Sequence, residues 1–264
     1  MILIDGKKAA AELTGSELGF SKEHWSHFAE LGWLGLPFAE EDGGFGGSAI
    51  DTMIVMEAFG KGLVVEPYVS TVLMAGSALA HAGTTAQKEG HLAAIIGGEA
   101  QASLAYIEPQ ARFNLNHVVT RAVPDGSDWV INGFKGVVLG APSADLLIVS
   151  ARTDGDEQAE EGITLFIVPA NAEGVSRRSY PTIDGFRASE VTLSDVRVSA
   201  ESVLGEMGQG LATLQYAIDQ GILGVGAEAV GAMEVLYKDT VEYCKTREQF
   251  GQPIGKFQVL QHRM

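Results

Sequence analysis

Histidine, cysteine and glycine residues are the first candidates for chemistry in this sequence. His24 and His27 could face one side of a helix as metal ligands, but no Cys, Asp or third His completes a site, so no metal site is predicted. Cys244 is the only cysteine and has no histidine near it in sequence, so a packed helical position is expected and not a nucleophile. The glycine-rich run at 43–47 lies between predicted helices, which indicates a loop and not a phosphate cradle. Local motifs alone therefore give no catalytic residue.

The composition of the 264-residue chain is that of a folded protein and argues against two kinds of function. Hydrophobic residues make up 46% of it and charged residues 20%. The net charge of -16 disfavours a nucleic-acid-binding surface, because binding phosphates needs clustered Lys and Arg. The most hydrophobic stretch, 69–82, is interrupted by Ser, Thr, Gly and His, so it predicts a core helix and not a membrane span. The single cysteine favours a cytoplasmic location.

The hydrophobic pattern changes twice along the chain and divides it into three predicted domains. Residues 1–103 are expected to form an α-helical domain, in which Ser48 and Asp51 have the spacing of a capping box. Residues 104–207 are rich in short β-strands. Residues 208–264 are expected to begin a helical bundle, because apolar residues recur there at helical spacing. The pattern predicts one long apolar helix from about residue 210 to about residue 247. A helix of that length needs partners, so the bundle is expected to be incomplete in this chain.

The middle domain is predicted to be an antiparallel barrel or sandwich. Asn132-Gly133 lies between two predicted strands and indicates a hairpin turn. No helix separates the strands, which argues against a doubly wound nucleotide-binding sheet. The fold class is thus multi-domain α+β, with N-terminal helices, a central antiparallel β-barrel and the start of a C-terminal helical bundle. The predicted strands are 104–107, 118–123, 129–131, 137–139, 145–151, 163–168, 175–180 and 191–193.

Several stretches of the sequence resemble signatures of the acyl-CoA dehydrogenase family, in the order in which the family has them. The resemblance covers the chain from about residue 20 and implies the family's fold, which has a helical domain, a β-barrel domain and a four-helix bundle. The sequence is most similar to small subunits of heteromeric pimeloyl-CoA dehydrogenase-type enzymes. The stretches that carry the resemblance are 31–37 with 40–47, 62–67, 129–139 with 144–145, 196–198 with 204–210, and 247–262.

The resemblance implies FAD as the cofactor and an acyl-CoA thioester as the substrate. The flavin ring is implied to lie on two stretches of the barrel domain, where Ile107 and Leu139 replace the family's usual hydroxyl side chains. The adenine-diphosphate end is implied to contact a C-terminal motif that, in the family, reaches the flavin of a neighbouring subunit. The residues implied for the cofactor are Tyr106, Ile107, Glu108, Val137, Val138, Leu139, Arg247, Phe250 and Gln258, and those for the substrate are Phe113, Asp219 and Ile222.

No catalytic base is predicted. In most members of the family the base is a glutamate at a position that would follow Met264, and in a minority it stands at the position of Gly221, where a glycine cannot accept a proton. Glu228 is an alternative candidate on the same helix, although an interhelical polar contact is the simpler interpretation of it.

Three functional hypotheses follow from the resemblance. The first is a subunit of a homo- or hetero-oligomer, a dimer or tetramer, that dehydrogenates an acyl-CoA and passes electrons to electron-transfer flavoprotein or a similar acceptor. The alternative is a non-catalytic structural subunit that completes a partner's flavin site through Arg247 and Gln258. A flavin monooxygenase or oxidase of the same fold is the third.

Overall fold

Helices form the first part of the protein, whose computed structural model describes residues 6–264. The Ser48 hydroxyl accepts a hydrogen bond from the Asp51 amide, and the Asp51 carboxylate accepts one from the Ser48 amide, so the predicted capping box is confirmed. The rings of Phe28, Phe59 and Tyr68 pack together with centroids 5.2 and 5.3 Å apart. The helices are α1 (Gly6–Thr14), α2 (Lys22–Glu30), α3 (Ala49–Gly62), a π-helix (Val69–Gly76) that continues into α4 (Ser77–Ala82), α5 (Thr85–Gln87), a second π-helix (Lys88–Leu92) and α6 (Ala93–Ile96).

Within the described chain, eight strands form one mixed sheet. Their order is β6-β7-β3-β2-β4-β5-β8, and β1 pairs with β4 beside this path. Side chains on one face of β4 and β5 pack on the N-terminal helices. Side chains on the other face pack against residues of β2, β3 and β7 and form a second hydrophobic core. The strands are β1 (Ala102–Ala105), β2 (Arg121–Asp125), β3 (Asp128–Leu139), β4 (Leu146–Arg152), β5 (Ile163–Pro169), β6 (Val175–Pro181), β7 (Arg187–Ser199) and β8 (Val203–Leu204).

The prediction of a closed antiparallel barrel is wrong. In the described part of the chain, β6 pairs only with β7 and β8 pairs only with β5, so the sheet has two open ends. A barrel requires its two end strands to pair with each other, and β8 has only two residues. The sheet is also not purely antiparallel, because β4 runs parallel to both β1 and β2.

The prediction of a hairpin turn at Asn132-Gly133 is also wrong, because both residues lie inside the long strand β3. The Asn132 amide group bonds the side chain and backbone of Asp195 on β7 at 3.0 and 2.8 Å. Glycine is needed at 133 because a Cβ there would lie 2.4 Å from Thr120 Oγ1. Asn132-Gly133 therefore lets β3 approach Thr120 closely, at a register shift between β3 and β7.

The long helix predicted after residue 210 is confirmed as α7 (Gly210–Thr246), which has 37 residues. It crosses α3 at glycines, since a Cβ on Gly231 would lie 2.0 Å from the carbonyl oxygen of Glu57. A small hairpin, β9 (Glu248–Gln249) and β10 (Gln252–Pro253), and α8 (Gln258–Gln261) follow it. No helix in residues 6–264 is both long and apolar enough to cross a membrane.

Candidate functional site

A β-bulge near the end of β3 brings two distant stretches of the sequence together. The register between β3 and β7 shifts between Lys135 and Val138, so both of these side chains point inward and are fully buried. Val137 and Leu139 point outward and are 37% and 40% exposed. The Gly136 amide donates to the Ile107 carbonyl at 2.8 Å. The two stretches that were expected to hold a flavin ring are therefore neighbours.

A buried ion pair fixes this junction. The Lys135 ammonium donates to Glu108 Oε1 at 2.7 Å and to Ser150 Oγ at 3.0 Å. The amides of Val119 and Thr120 also donate to the Glu108 carboxylate. Burial alone would raise the pKa of Glu108, but the charge of Lys135 and these hydrogen bonds lower that pKa to about 2. Burial lowers the pKa of Lys135 to about 8, against the attraction of Glu108. Glu108 is thus a structural anion and not a free base.

A cleft of about 340 Å³ opens beside Leu139, and we call it the apolar cleft. Its walls are mainly hydrophobic side chains from α3, from the middle of α7 and from the irregular segments at 18–20 and 64–67. Glu228 of α7 is half-buried there, and its carboxylate accepts no hydrogen bond from residues 6–264. Burial, and then the charge of Asp184, raise the pKa of Glu228. The lining includes Met56, Phe59, Val65, Leu139, Val225 and Ala229.

A second, larger cleft of about 1170 Å³ lies next to the end of β1, and we call it the loop cleft. Tyr106 and Ile107 form its floor, the loop at 112–116 forms one wall, and Glu160 and Glu161 lie on another. Burial raises the pKa of the Tyr106 hydroxyl. Arg112 is the only cationic side chain among the described residues that line this cleft.

One stripe of α7 connects the two clefts. Leu211, Gln215, Ile218 and Ile222 line the loop cleft at intervals of four, three and four residues. Val225, Ala229 and Ala232 continue the same stripe along the apolar cleft. Both clefts therefore lie along one face of α7, over about 21 Å between Gln215 and Ala229, and we call the two clefts together the groove.

The structure brings together some of the residues expected from the sequence and separates others. Tyr106, Ile107, Phe113 and Ile222 all line the loop cleft, and Leu139 lines the apolar cleft. Two further residues have internal roles, because the Val138 side chain is fully buried and Asp219 accepts a hydrogen bond from Gln215 at 2.8 Å. Arg247, Phe250 and Gln258 lie beyond the far end of α7.

The C-terminal motif is too distant to join the groove. From Val225 to Arg247, α7 rises about 33 Å. Phe250 is 91% exposed at the tip of the β9–β10 hairpin. One dinucleotide could not touch both Leu139 and Arg247 of the same chain.

Two arginines that shape the clefts were missed by the sequence analysis. The Arg152 guanidinium donates to the carbonyls of Asn116 and Glu161, both at 2.7 Å, and so ties two walls of the loop cleft together. The Arg187 guanidinium donates to the carbonyls of Thr14 and Ser16 beside the apolar cleft. Asn116 lies 36 residues from Arg152, and Thr14 and Ser16 lie 173 and 171 residues from Arg187, so no local pattern indicates these contacts. In residues 6–264, no group of three or more His, Cys, Asp or Glu side chains is placed to hold a metal ion.

Three sequence models of acyl-CoA dehydrogenase domains match the chain in order. The N-terminal domain matches residues 6–99, the middle domain 103–196 and the C-terminal domain 208–264. Helices on a mixed sheet with a groove along one long helix, together with these matches, define the class of protein. The chain belongs to the acyl-CoA dehydrogenase family.

Individual relatives agree with this assignment. A probable acyl-CoA dehydrogenase, YngJ of Bacillus subtilis, is 34% identical over 93% of this chain and 66% of its own length. The short-chain-specific acyl-CoA dehydrogenase of Clostridium acetobutylicum is 30% identical over 96% and 68%. The FAD complex of PigA superposes with a TM-score of 0.89 at 25% identity, covering 99% of this chain and 69% of that one. The chain spans 58% to 68% of the length of the curated relatives that it matches.

The residues at the bulge fit a flavin ring, although not through hydroxyl side chains. Val137 and Leu139 present two apolar side chains on one outward face, and Ile107 lies next to them. Gly140 follows Leu139 with a φ of +74°, and a Cβ on it would lie 2.5 Å from Ser70 Oγ, so glycine is needed where β3 ends. The apolar face of a flat ring could pack on this platform.

Proposed function

We propose that the protein catalyses the FAD-dependent α,β-dehydrogenation of an acyl-CoA thioester, as a subunit of an oligomer. The observation that carries the proposal is the continuous stripe on α7, which passes both clefts and the platform at Leu139. An acyl-CoA thioester has an apolar acyl chain and a polar carrier. The apolar cleft matches the acyl chain, and the more polar loop cleft matches the carrier.

The residues of this chain would bind and orient the reactants. The apolar cleft would exclude water around the acyl chain, and the loop cleft would receive the carrier. Val137 and Leu139 would support the ring of FAD, which supplies the hydride acceptor when it is bound. The Ile107 carbonyl accepts a hydrogen bond from the Gly136 amide, which joins Ile107 to the bulge.

The catalytic base stays unassigned. Gly221 is buried, and a Cβ on it would lie 2.9 Å from Met74 Cγ, so a longer side chain here would require the Met74 side chain to move. Glu108 is ionised and fully engaged by hydrogen bonds. We infer that the proton acceptor comes from another part of the assembled enzyme.

Anaerobic reduction of the flavin tests the proposed activity. The natural protein would be purified with any chain that accompanies it and mixed with CoA thioesters of increasing chain length. The visible absorbance of the flavin should bleach with at least one thioester, and electron-transfer flavoprotein or a similar acceptor should then reoxidise it. A preparation that never carries flavin would contradict the proposal, and rapid reoxidation by dioxygen would favour an oxidase or monooxygenase.

The alternative is a structural subunit that completes the flavin site of a partner. The separation of Arg247 from Leu139 along α7 favours the structural role. The exposed C-terminal motif lies away from the groove of the same chain, where a partner could reach it. The likeness to small subunits of pimeloyl-CoA dehydrogenase-type enzymes points the same way. The ratio of flavin to chains decides between them: one flavin per chain argues against the structural role, and one per two different chains supports it.

A further inference from the structure

One carboxylate in the wall of the apolar cleft has no hydrogen-bond partner among the described groups. Glu228 lines this cleft from α7 and is half-buried, and it makes no hydrogen bond or ion pair with any group that the structure describes. Burial raises the pKa of its carboxyl group, and the charge of Asp184 raises it further. A half-buried carboxylate that has lost water without gaining a donor is unfavourable, so a ligand that donates to it would remove this cost.

The backbone at Glu228 is held in place without its side chain. The helices α3 and α7 cross here so closely that a Cβ on Gly60 would lie 1.9 Å from the Glu228 carbonyl oxygen. The crossing therefore depends on backbone contact and on glycine at 60. Replacing the Glu228 side chain should leave the crossing and the cleft in place.

The side-chain donors that line the apolar cleft are already engaged. The Tyr68 hydroxyl donates to the Trp33 carbonyl at 2.8 Å. The Ser70 hydroxyl donates to the Pro67 carbonyl at 3.2 Å. Arg187 uses both terminal nitrogens of its guanidinium on backbone carbonyls. Among the described lining residues, a ligand therefore finds no free hydroxyl and no free terminal guanidinium nitrogen.

Two further carboxylates line the cleft, and both have partners. Glu66 is 5% exposed and pairs with the His24 ring at 2.9 Å. Asp184 accepts hydrogen bonds from the Thr182 hydroxyl and the Phe186 amide. Together with the unpaired glutamate, these groups give three carboxylates against one guanidinium among the described lining residues. The charge of the cleft is therefore negative, and its free polar group is an acceptor.

The position of Glu228 on α7 suits the remote end of a ligand that enters from the loop cleft. Ile222 is the last residue of α7 that lines the loop cleft, and Glu228 follows it by about 9 Å along the helix axis. A carrier in the loop cleft with an acyl chain along α7 would bring the far end of that chain to this carboxylate.

We infer that the apolar cleft selects an acyl group whose remote end carries a protonated amine, and that Glu228 binds this amine. A lone carboxylate pairs only with a donor, and the excess of carboxylates favours a positive charge over a neutral hydroxyl. A remote carboxylate, as at the end of a pimeloyl group, would meet three like charges and no free side-chain donor. The inference rests on the proposed function for the placement of the acyl chain in this cleft.

Three thioesters of equal chain length test this selection, because they differ only at the remote end. They are ω-aminohexanoyl-CoA, hexanoyl-CoA and adipoyl-CoA, and titration calorimetry measures their binding to the purified protein with any chain that accompanies it. The wild type should bind ω-aminohexanoyl-CoA roughly tenfold more tightly than adipoyl-CoA, which corresponds to one charge-assisted contact. Glu228→Gln should remove most of this preference and leave the affinity for hexanoyl-CoA unchanged.

Two further variants separate a local contact from a general change of charge or of stability. Glu242→Gln removes one negative charge from an exposed position on the same helix, outside both clefts, and should change none of the three affinities. Glu228→Leu should be at least as stable as the wild type in urea denaturation, because it removes an unpaired carboxylate. A clear loss of stability would show that the carboxylate is paired within the fold and would contradict the inference.

Probes without a carrier distinguish a failure of this inference from a failure of the proposed function. Hexylamine, hexanol and hexanoate need neither CoA nor flavin, and ligand-observed NMR detects their binding. Hexylamine should bind the wild type most tightly of the three and should lose this advantage in Glu228→Gln. Such binding without flavin bleaching by any thioester would contradict the proposed function and leave this site standing.

Four results would overturn the inference while the proposed function could still hold. They are equal binding of hexylamine and hexanol, equal binding of ω-aminohexanoyl-CoA and adipoyl-CoA, equal effects of Glu228→Gln and Glu242→Gln, and no binding of any amine probe to the wild type. Flavin bleaching by hexanoyl-CoA together with any of these results would confirm the activity and reject the amine.

Discussion

The apolar cleft and the loop cleft are each stabilised by an arginine, but different segments form their walls. Each is braced by an arginine whose guanidinium donates to four backbone carbonyls. Arg152 braces the loop cleft and is 1% exposed, whereas Arg187 braces the apolar cleft and is half-buried. Two packed helices, α3 and α7, contribute to the walls of the apolar cleft together with irregular segments at 18–20 and 64–67. In the loop cleft, α7 is the only helix among the described lining residues, and it faces irregular segments at 112–116 and 160–161.

The difference in their walls suits the two clefts to different kinds of ligand selection. Helices that pack on one another define a fixed apolar volume, so the apolar cleft can select ligands by size. Loops can carry unpaired charges at their tips without burying them, so the loop cleft can select by charge. The buried Arg152 ties the irregular segments of the loop cleft together, and we expect its loss to be costlier than that of Arg187.

The largest expected effect is at the junction between the clefts. Lys135→Met would leave the Glu108 carboxylate buried with no cation beside it, and this should cost about 3–5 kcal/mol of unfolding free energy. Urea denaturation measures it. The double variant Glu108→Leu with Lys135→Met should be more stable than Lys135→Met alone, because it also removes the buried charge. A double variant less stable than the single one would contradict this account.

The same ion pair predicts a pH dependence. The folded-state pKa of Glu108 is about 2, below its usual value of 4.5. The stability that ionised Glu108 contributes is therefore complete at a pH above its usual pKa of 4.5, and it is lost as the pH falls towards 2. Unfolding free energies at neutral pH and at a pH between these two values should show the loss in the wild type. The double variant lacks the carboxyl group, so this contribution should be absent from its pH profile.

The next prediction compares the two arginines. Arg152→Met would leave buried carbonyls without donors and should cost about 2–4 kcal/mol, whereas the acceptors of Arg187 are nearer to solvent and its loss should cost about 1–2 kcal/mol. Amide hydrogen exchange should speed up around residues 153–162 in the first variant and around 182–186 in the second. Equal costs, or exchange that spreads over both clefts in either variant, would show that the clefts are not separately braced.

Periodic and local signals in the sequence predicted much of the fold and less of the site. The α7 stripe and the Ser48 cap could be predicted because helical spacing and capping depend on near neighbours. The bulge at Gly136 could not, since its main contact is with the Ile107 carbonyl, 29 residues earlier in the sequence. The signal at Asn132-Gly133 was misleading because its contacts with Asp195 and Thr120 are long-range.

The site residues show the same limit. The resemblance indicated Ile107, Leu139 and Ile222, all of which line a cleft. It could not indicate Arg152, whose role depends on backbone carbonyls up to 36 residues away in sequence. A buried arginine at the end of a strand has no distinguishing pattern in sequence, and only the contacts of its guanidinium separate it from surface arginines.

A substitution at Val225 should have the smallest effect on stability of those considered and the largest effect on selectivity for acyl-chain length. This side chain is 52% exposed on the α7 stripe, so Val225→Phe should change the unfolding free energy by less than about 0.5 kcal/mol. The larger ring would occupy part of the 340 Å³ apolar cleft. Binding of long-chain thioesters should weaken by roughly tenfold while that of short-chain ones is kept, because one or two displaced methylene groups account for such a factor.

Val230→Phe is the matched control for this prediction. Val230 is 51% exposed on the same helix but does not line the apolar cleft, so this variant should leave selectivity unchanged. Equal losses for long and short thioesters in Val225→Phe would mean that the acyl chain does not enter this cleft. Selectivity for chain length would then arise elsewhere, and the division of the groove into a size-selecting part and a charge-selecting part would not hold.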